Sequence, residues 1–359
     1  MARARASSQT YLWTNLARRE RESRETDPTL DIAHAEGQQV VRELAAVSDV
    51  LIENYKAGGL AKYGLGYEDL KAINPGLVYC SVTGFGQSGP RAAQPGYDFL
   101  VQGIGGLMSV TGEAEGAPMK VGVALTDVMT GLYTAIAALA ALHRRAATGA
   151  GAWVDMALLD VTVATLANQA TSFLTSGQVP RRLGNAHPSI FPYDAFATAD
   201  DHIIVAVGND AQFAKLAAAL GKPELAAADR FATNAARVEG RAELGAVLRE
   251  ALRARPAAEW IEALGAAGVP CGPINSVAQV FDEPQVAARG MAASLPHPTA
   301  AGGAVPQVAC PIRFSGEERA AVGAPPTLGQ HTESVLREVL GMDDARIGEL
   351  RRGGALGAS

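Results

Sequence analysis

Two stretches of the chain carry residue types that could do chemistry. Gly84-Phe85-Gly86-Gln87-Ser88-Gly89 reads G-x-G-x-x-G and follows a strand-like run, Leu77 to Val82. In a dinucleotide site such glycines let the backbone close on a pyrophosphate, and the helix that follows turns its positive N-terminus to the charge. Here the next residues are Pro90-Arg91-Ala92-Ala93-Gln94-Pro95-Gly96, with no apolar stripe at helical spacing. No acidic residue ends a second strand where a ribose partner belongs. The string therefore reads as a loop whose backbone approaches something closely, and a nicotinamide cofactor is set aside. The second stretch is Leu125-Thr126-Asp127, a carboxylate in the first turn of a long apolar helix. A carboxylate can act as a nucleophile. By residue type alone, capping or complementing the helix dipole is its ordinary role.

Other chemistries find less support. His34, His143, His187, His202, His297 and His331 show no metal-ligand spacing, and Cys80, Cys271 and Cys310 form neither a C-x-x-C pattern nor an even set. No metal is expected, and a reducing cytoplasm suits the cysteines. A net charge of -6 on 359 residues argues against nucleic acid. The apolar run from Leu132 to Leu142 is shorter than a membrane span needs and reads as a core helix, and the arginine-rich start lacks the apolar stretch of a secretory signal.

These residues need a scaffold. Val40, Val41, Leu44 and Val47 predict a helix over Ala35 to Val47, followed by a strand over Asp49 to Glu53, a helix over Tyr67 to Ile73 and the strand at Leu77 to Val82. Strand, helix, strand implies a Rossmann-like α/β domain with a parallel sheet. A long helix is expected over 126–147, a strand at Trp153 to Met156 and one further buried helix over Leu158 to Leu174. Beyond, Tyr193 to Thr198 and His202 to Val207 read as a hairpin; Asp210 to Leu220, Arg237 to Leu252 and Ala257 to Leu264 read as helices. Gly302, Gly303, Pro306 and Pro311 mark returning strands, and Thr332 to Leu340 a closing helix. The expected organisation is an irregular segment at 1–28, a large α/β domain at 29–180, a small α+β domain at 190–295 and a return to the large domain at 300–359.

Several motifs in one order carry more than either stretch alone. Glu53-Asn54-Tyr55-Lys56-Ala57-Gly58, the TGFGQSGP run, Gly96-Tyr97-Asp98-Phe99, Leu125-Thr126-Asp127-Val128-Met129-Thr130-Gly131, Gly184-Asn185-Ala186-His187-Pro188 and Leu328-Gly329-Gln330-His331-Thr332 together resemble the class III CoA-transferase family (CaiB/BaiF type) from about residue 29 to 350. GNAHPSIFPYDAF, AGVPCGPIN, EPQV and PPTLGQHT are most similar to its succinate–hydroxymethylglutarate (glutarate) branch.

The resemblance implies a nucleophilic aspartate thirty residues after the aromatic position of the G-[YH]-D element, which here makes Tyr97 the neighbour and Asp127 the nucleophile. Ionised at its helix N-terminus, Asp127 would carry CoA between acids through aspartyl anhydrides and an aspartyl-CoA thioester. Gly84, Gly86, Gly105 and Gly106 could offer amides to the oxyanions or could simply make turns. For CoA, the resemblance implies Asn54, Tyr55, Gly59, Lys62 and Tyr63. His187 could line an acyl pocket or be hydrogen-bonded to backbone, and Arg182, with Arg181, could hold a far carboxylate or lie on the surface. CoA and acyl-CoA are substrates, and no other cofactor is implied. Partners are acyl-CoA and a small carboxylic acid such as glutarate, with no nucleic acid or membrane, and the family's interlocked homodimer is expected.

Two alternatives follow. Racemases of this family carry histidine where Tyr97 stands, and a phenol is a poor base for proton exchange. The family also begins with a further βαβ segment; Ser7 to Asn15 resembles the element after it, and 16–28 departs from the pattern. An inactive truncated relative is the second alternative.

Overall fold

The computed structural model describes residues 28–317 and 323–356. The irregular segment expected at 1–28 therefore lies, except for Pro28, outside the described residues, as does the Ser7 to Asn15 match. Two compact units emerge. The first takes in the described residues to Leu107, then Val121–Leu174 and the described residues from Ala288 onward; the second is Met108–Lys120 with Thr175–Ala287.

In the first unit, helix α1 (Ala35–Val47) buries Val40, Val41 and Leu44 on one face. The His34 ring caps it, its Nδ1 accepting the Glu36 N–H at 3.2 Å. There follow β1 (Val50–Glu53), α2 (Tyr67–Ile73), β2 (Val78–Thr83), α3 (Asp98–Ile104), α4 (Leu107–Val110, which after Leu107 belongs to the second unit), α5 (Leu125–Thr148), β3 (Ala152–Ala157), α6 (Leu158–Thr165) and α7 (Ala167–Ser176, which after Leu174 belongs to the second unit). Strands β1, β2 and β3 pair in parallel in that order. Alternation along β1 and β2 sends Leu51 and Tyr79 into a core with α1, and Val78 and Cys80 toward Ala138 and Ala141 of α5. Helices thus cover both faces, as a parallel sheet requires.

The structure corrects one expectation here and refines another. The helix over Leu158 to Leu174 is broken, because Ala167 adopts φ 45° and interrupts the hydrogen-bond ladder. Helix α5 is not buried all round: Thr126, Thr130, Thr134, Ala138 and Ala141 face inward, while Val128, Leu132, Ile136 and Leu139 are more than half exposed. By length and composition α5 could cross a membrane, yet its inner seam packs on β2, β3, α3 and α6, as a domain helix does.

The second unit holds β4 (Tyr193–Ala197), β5 (His202–Ala206), α8 (Asp210–Ala219), α9 (Glu224–Ala227), α10 (Asp229–Ala232), α11 (Asn234–Glu239), α12 (Arg241–Leu252), α13 (Ala257–Ala266), β6 (Cys271–Pro273), α14 (Val277–Asp282) and α15 (Pro284–Ala288, whose last residue falls to the first unit). Strands β4 and β5 form the expected antiparallel hairpin, with β6 added to β5. The helix expected over Arg237 to Leu252 is two helices, α11 and α12, meeting at Gly240. Their core includes Phe191, Phe196, Ile203, Phe213 and Trp260. The chain returns to the first unit through a hairpin of β7 (Ala292–Pro296) and β8 (Ala304–Val308), then α16 (Thr332–Glu338) and α17 (Asp344–Arg352). Val335, Leu336, Ile347 and Leu350 complete the core on the α1 face of the sheet.

Candidate active site

Asp127 occupies the third position of α5, and its side chain is exposed. The residue before the helix, Ala124, has no side chain that could cap it. The acceptor comes from elsewhere: Asp98 Oδ1 accepts the Thr126 N–H at 2.8 Å and, more weakly, the Asp127 N–H at 3.4 Å. Asp98 is the first residue of α3, so one carboxylate ties the start of one helix to the start of another. Its Oδ2 accepts Gln102 Nε2 at 2.7 Å, and Gln102 Oε1 accepts the Val121 N–H at 2.9 Å. Gln102 is fully buried. Inside the helix, Thr126 Oγ1 lies 3.1 Å from Thr162 Oγ1 of α6. The backbone that carries Asp127 is thereby held from α3, α6 and the Val121 loop together.

Electrostatics modify the expectation for the nucleophile. A helix N-terminus alone favours a carboxylate's ionised form. Here partial desolvation and, second, the Asp98 charge raise the Asp127 pKa. Asp98 therefore both fixes Asp127 and makes its carboxylate more basic. Tyr97, immediately before Asp98 at the start of α3, is 74% exposed.

The glycine-rich loop has a definite job. A Cβ on Gly84 would lie 2.4 Å from the Gly96 Cα, so the loop's backbone meets the backbone just before Tyr97. Asp155 of β3 holds the next turn, accepting the Gln87 N–H at 3.2 and 3.0 Å. Residues 90–97 form no helix, which removes the dinucleotide fingerprint. The amides of Gly86, Gly105 and Gly106 are engaged by Thr83 Oγ1, Val101 O and Gly103 O, so these three are turn-makers rather than oxyanion donors.

The implied CoA residues follow β1 at the carboxyl end of the sheet, where ligands of parallel sheets sit. Asn54 is exposed, while the Tyr55 and Tyr63 rings are partly buried against the core. The Gly59 N–H bonds Lys56 O at 2.7 Å, and a Cβ there would approach that oxygen to 2.8 Å. Lys62 is exposed, with Nζ 4.5 Å from the Tyr63 ring centre. Arg42 of α1 donates to Tyr63 O at 3.2 Å and steadies this turn.

In the second unit His187 is partly buried: its Nδ1 accepts the Ser189 N–H at 3.1 Å and its ring lies 5.4 Å from that of Tyr193. It is a histidine bonded to backbone. Arg182 donates to Glu113 O at 3.2 Å and Gly116 O at 2.7 Å, so much of its fork already serves backbone carbonyls; Arg181 is exposed. No group of His, Cys, Asp and Glu suited to a metal occurs among the described residues.

Asp98 and Gln102 escaped the sequence reading. An acid at a helix start is naturally assigned to its own helix, and Asp98 serves another. The available signal was negative: a long helix beginning after Ala124 leaves its first amides without a local acceptor.

Comparison with known proteins adds to this geometry. The sequence profile of CoA-transferase family III matches residues 8–332. A succinate–glutarate CoA-transferase of Agrobacterium fabrum is 46% identical over 86% of this chain and 77% of its own length. The human succinyl-CoA:glutarate CoA-transferase is 42% identical over 91% and 74%. Among solved structures, a CaiB/BaiF family protein from Brucella suis superposes with a TM-score of 0.74 at 49% identity, covering 86% of this chain and 80% of that one. A profile match over most of the chain, with relatives this similar, makes the protein an enzyme of CoA-transferase family III.

Proposed function

We propose that the protein moves CoA from succinyl-CoA to glutarate or a related dicarboxylic acid, with Asp127 as nucleophile. The observation that carries this is the exposed Asp127 carboxylate on a helix start pinned by Asp98, beside an exposed Tyr97. The acids are those named for the relatives, succinate with glutarate in two of them and with mesaconate in a third.

The ionised Asp127 attacks the succinyl thioester carbonyl, forming a mixed anhydride and expelling the CoA thiolate. The thiolate attacks the aspartyl carbonyl, releasing succinate and leaving an aspartyl-CoA thioester. Glutarate then attacks that thioester, CoA leaves again, and an aspartyl–glutaryl anhydride forms. Thiolate attack on the glutaryl carbonyl frees glutaryl-CoA and restores Asp127. Overall one thioester replaces another, and the activated anhydrides form and collapse within the cycle, so neither ATP nor a metal is called for. The raised Asp127 pKa makes a stronger nucleophile at neutral pH and a step that fails in acid. Asn54, Tyr55, Gly59, Lys62 and Tyr63 hold the nucleotide end of CoA.

We read the two compact units as domains, the enzyme as cytoplasmic, and its working form as a homodimer. The apolar stripe Val128, Leu132, Ile136 and Leu139 supports the dimer, since a second copy would cover it. The test is intact-protein mass spectrometry after incubation with succinyl-CoA. A CoA adduct that hydroxylamine removes is expected on the native protein and not on Asp127→Asn. The same adduct on Asp127→Asn would sink the assignment.

A further inference from the structure

Glu53 of β1, Ser81 of β2 and Asp155 of β3 are register partners at the carboxyl end of the sheet. Asp155 is exposed and holds the glycine-rich turn, whereas Glu53 is a buried carboxylate at 8% exposure with no part in the chemistry above. Its Oε2 accepts the Tyr55 N–H at 2.7 Å, two residues along its own chain. Ser81 is its register partner on β2, and the Ser81 side chain favours its ionised form as a hydrogen-bond donor does. Ser81, fully buried, is bonded in turn by Trp153 Nε1 at 3.0 Å.

The chemistry of these groups fixes the direction of the relay. An indole N–H can only donate, so Ser81 Oγ accepts from Trp153 and has one hydrogen left to give. Glu53, its register partner on β1, is the acceptor this hydrogen faces, so the carboxylate stands against two donors. The far end is anchored as well, because the Trp153 ring stacks on Tyr67 of α2 with centres 5.4 Å apart and planes at 20°. Burial raises the Glu53 pKa, while its two hydrogen bonds favour the ionised form.

We infer that Glu53 is a positioning residue for CoA: through Ser81 and Trp153 it sets the turn at Asn54 and Tyr55 in its binding conformation. The inference rests on the assignment of Asn54 and Tyr55 to CoA. A turn locked before the ligand arrives does not have to be ordered on binding, so the lock acts on affinity. CoA is held alike in ground and transition states, and the effect belongs in KM rather than kcat.

Glutamine at position 53 fits the space but has one acceptor oxygen for two donors, and its amide N–H₂ must oppose one of them. Glu53→Gln is expected to weaken CoA binding on the order of tenfold, the effect of one buried donor left unsatisfied. Trp153→Phe keeps a ring against Tyr67 while freeing the Ser81 hydroxyl, and is expected to weaken binding by a smaller factor.

The experiment is calorimetric titration of the full-length protein with CoA itself, with KM and kcat for succinyl-CoA measured in parallel. Its arms are the native protein, Glu53→Gln, Trp153→Phe and Asn54→Ala. Weaker CoA binding in both relay variants, with kcat near native, is the expected result. Unchanged CoA affinity in Glu53→Gln beside a clear loss in Asn54→Ala would overturn the inference and leave the CoA assignment standing. Unchanged affinity in Asn54→Ala, or no binding of CoA to the native protein, would overturn the assignment and the inference with it. Should Glu53→Gln fail to fold, Trp153→Phe decides: native affinity there overturns the inference.

Discussion

Asp98→Asn separates positioning from charge at the start of α5. Asparagine can still offer Oδ1 to the Thr126 N–H, so the cap itself survives. The conflict arises on the other side. Asp98 Oδ2 accepts Gln102 Nε2, and Gln102 Oε1 accepts the Val121 N–H. An asparagine N–H₂ would face the Gln102 N–H₂. Flipping Gln102 moves the conflict to Val121, so either arrangement strands one donor near a fully buried residue. One unsatisfied buried donor costs roughly 1–3 kcal/mol. Asp98→Ala loses the cap as well, adding about 1 kcal/mol. Activity supplies an independent readout. Charge at Asp98 is the second cause of the raised Asp127 pKa, after desolvation. Removing it moves the acid limb of the kcat/KM profile to lower pH, though not as far as an unperturbed carboxylate, because desolvation remains. The assays are urea denaturation and transfer rates across the acid range. An Asp98→Asn protein of native stability with an unshifted acid limb would refute both halves of the reasoning.

Three other changes probe separate features. Folding raises the Asp127 pKa, so the stability this group contributes is full below its unfolded pKa and lost as pH rises through the folded value. Asp127→Asn should therefore abolish transfer yet melt slightly above the native protein at neutral pH, the gap closing in acid; thermal melts at both pH values check the sign. Gly84→Ala forces apart the contact with Gly96 and should cost on the order of 1–3 kcal/mol, read by denaturation; native stability would show that the two segments separate freely. Arg237 is fully buried, bonded to Phe191 O at 2.9 Å and Asp210 at 2.7 Å. In Arg237→Met the half-exposed Asp210 returns to water, but the Phe191 carbonyl loses its donor, which should cost about 1–3 kcal/mol, so a stability within error of native would remove the arginine from the core's support.

Where a residue's partner is close along the chain, its role is legible in the sequence. Helix α1 and the strand ending at Glu53 follow from apolar spacing, and both hairpin strands of the second unit follow from alternation around Ala199-Asp200-Asp201. Breaks are harder to read. Nothing in residues 158–174 signals Ala167, since neither glycine nor proline stands there, and its left-handed backbone is set by the fold around it. The site divides the same way. Asp127 can be found as an acid at a helix start, but Asp98, which caps that helix from 28 residues away, and the Glu53–Ser81–Trp153 relay exist only once three segments are side by side.

Helix α5 shows why size misleads where spacing does not. Its large apolar residues suggest a helix buried through its length, and that expectation assigns the inside to the bulkiest side chains. The sheet selects the opposite set. Thr126, Thr130, Thr134 and Ala138 recur every fourth residue and form a narrow inner seam. The hydroxyls of Thr130 and Thr134 bond the carbonyls of Thr126 and Thr130, four residues back, at 2.7 and 2.8 Å, and Thr126 pairs with Thr162 of α6, so the seam's hydroxyls are satisfied. Small residues inward bring α5 close to β2 and β3, and Val128, Leu132, Ile136 and Leu139 are left outward in a stripe. Full burial of one such side chain is worth roughly 1.5–3 kcal/mol, so four along one helix give a second copy a strong reason to dock. Ile136→Glu, at the middle of the stripe, should then yield monomers in sedimentation velocity while leaving the inner seam untouched. If Ile136→Glu sediments as the native protein does, no second copy docks on α5 and the stripe faces something else.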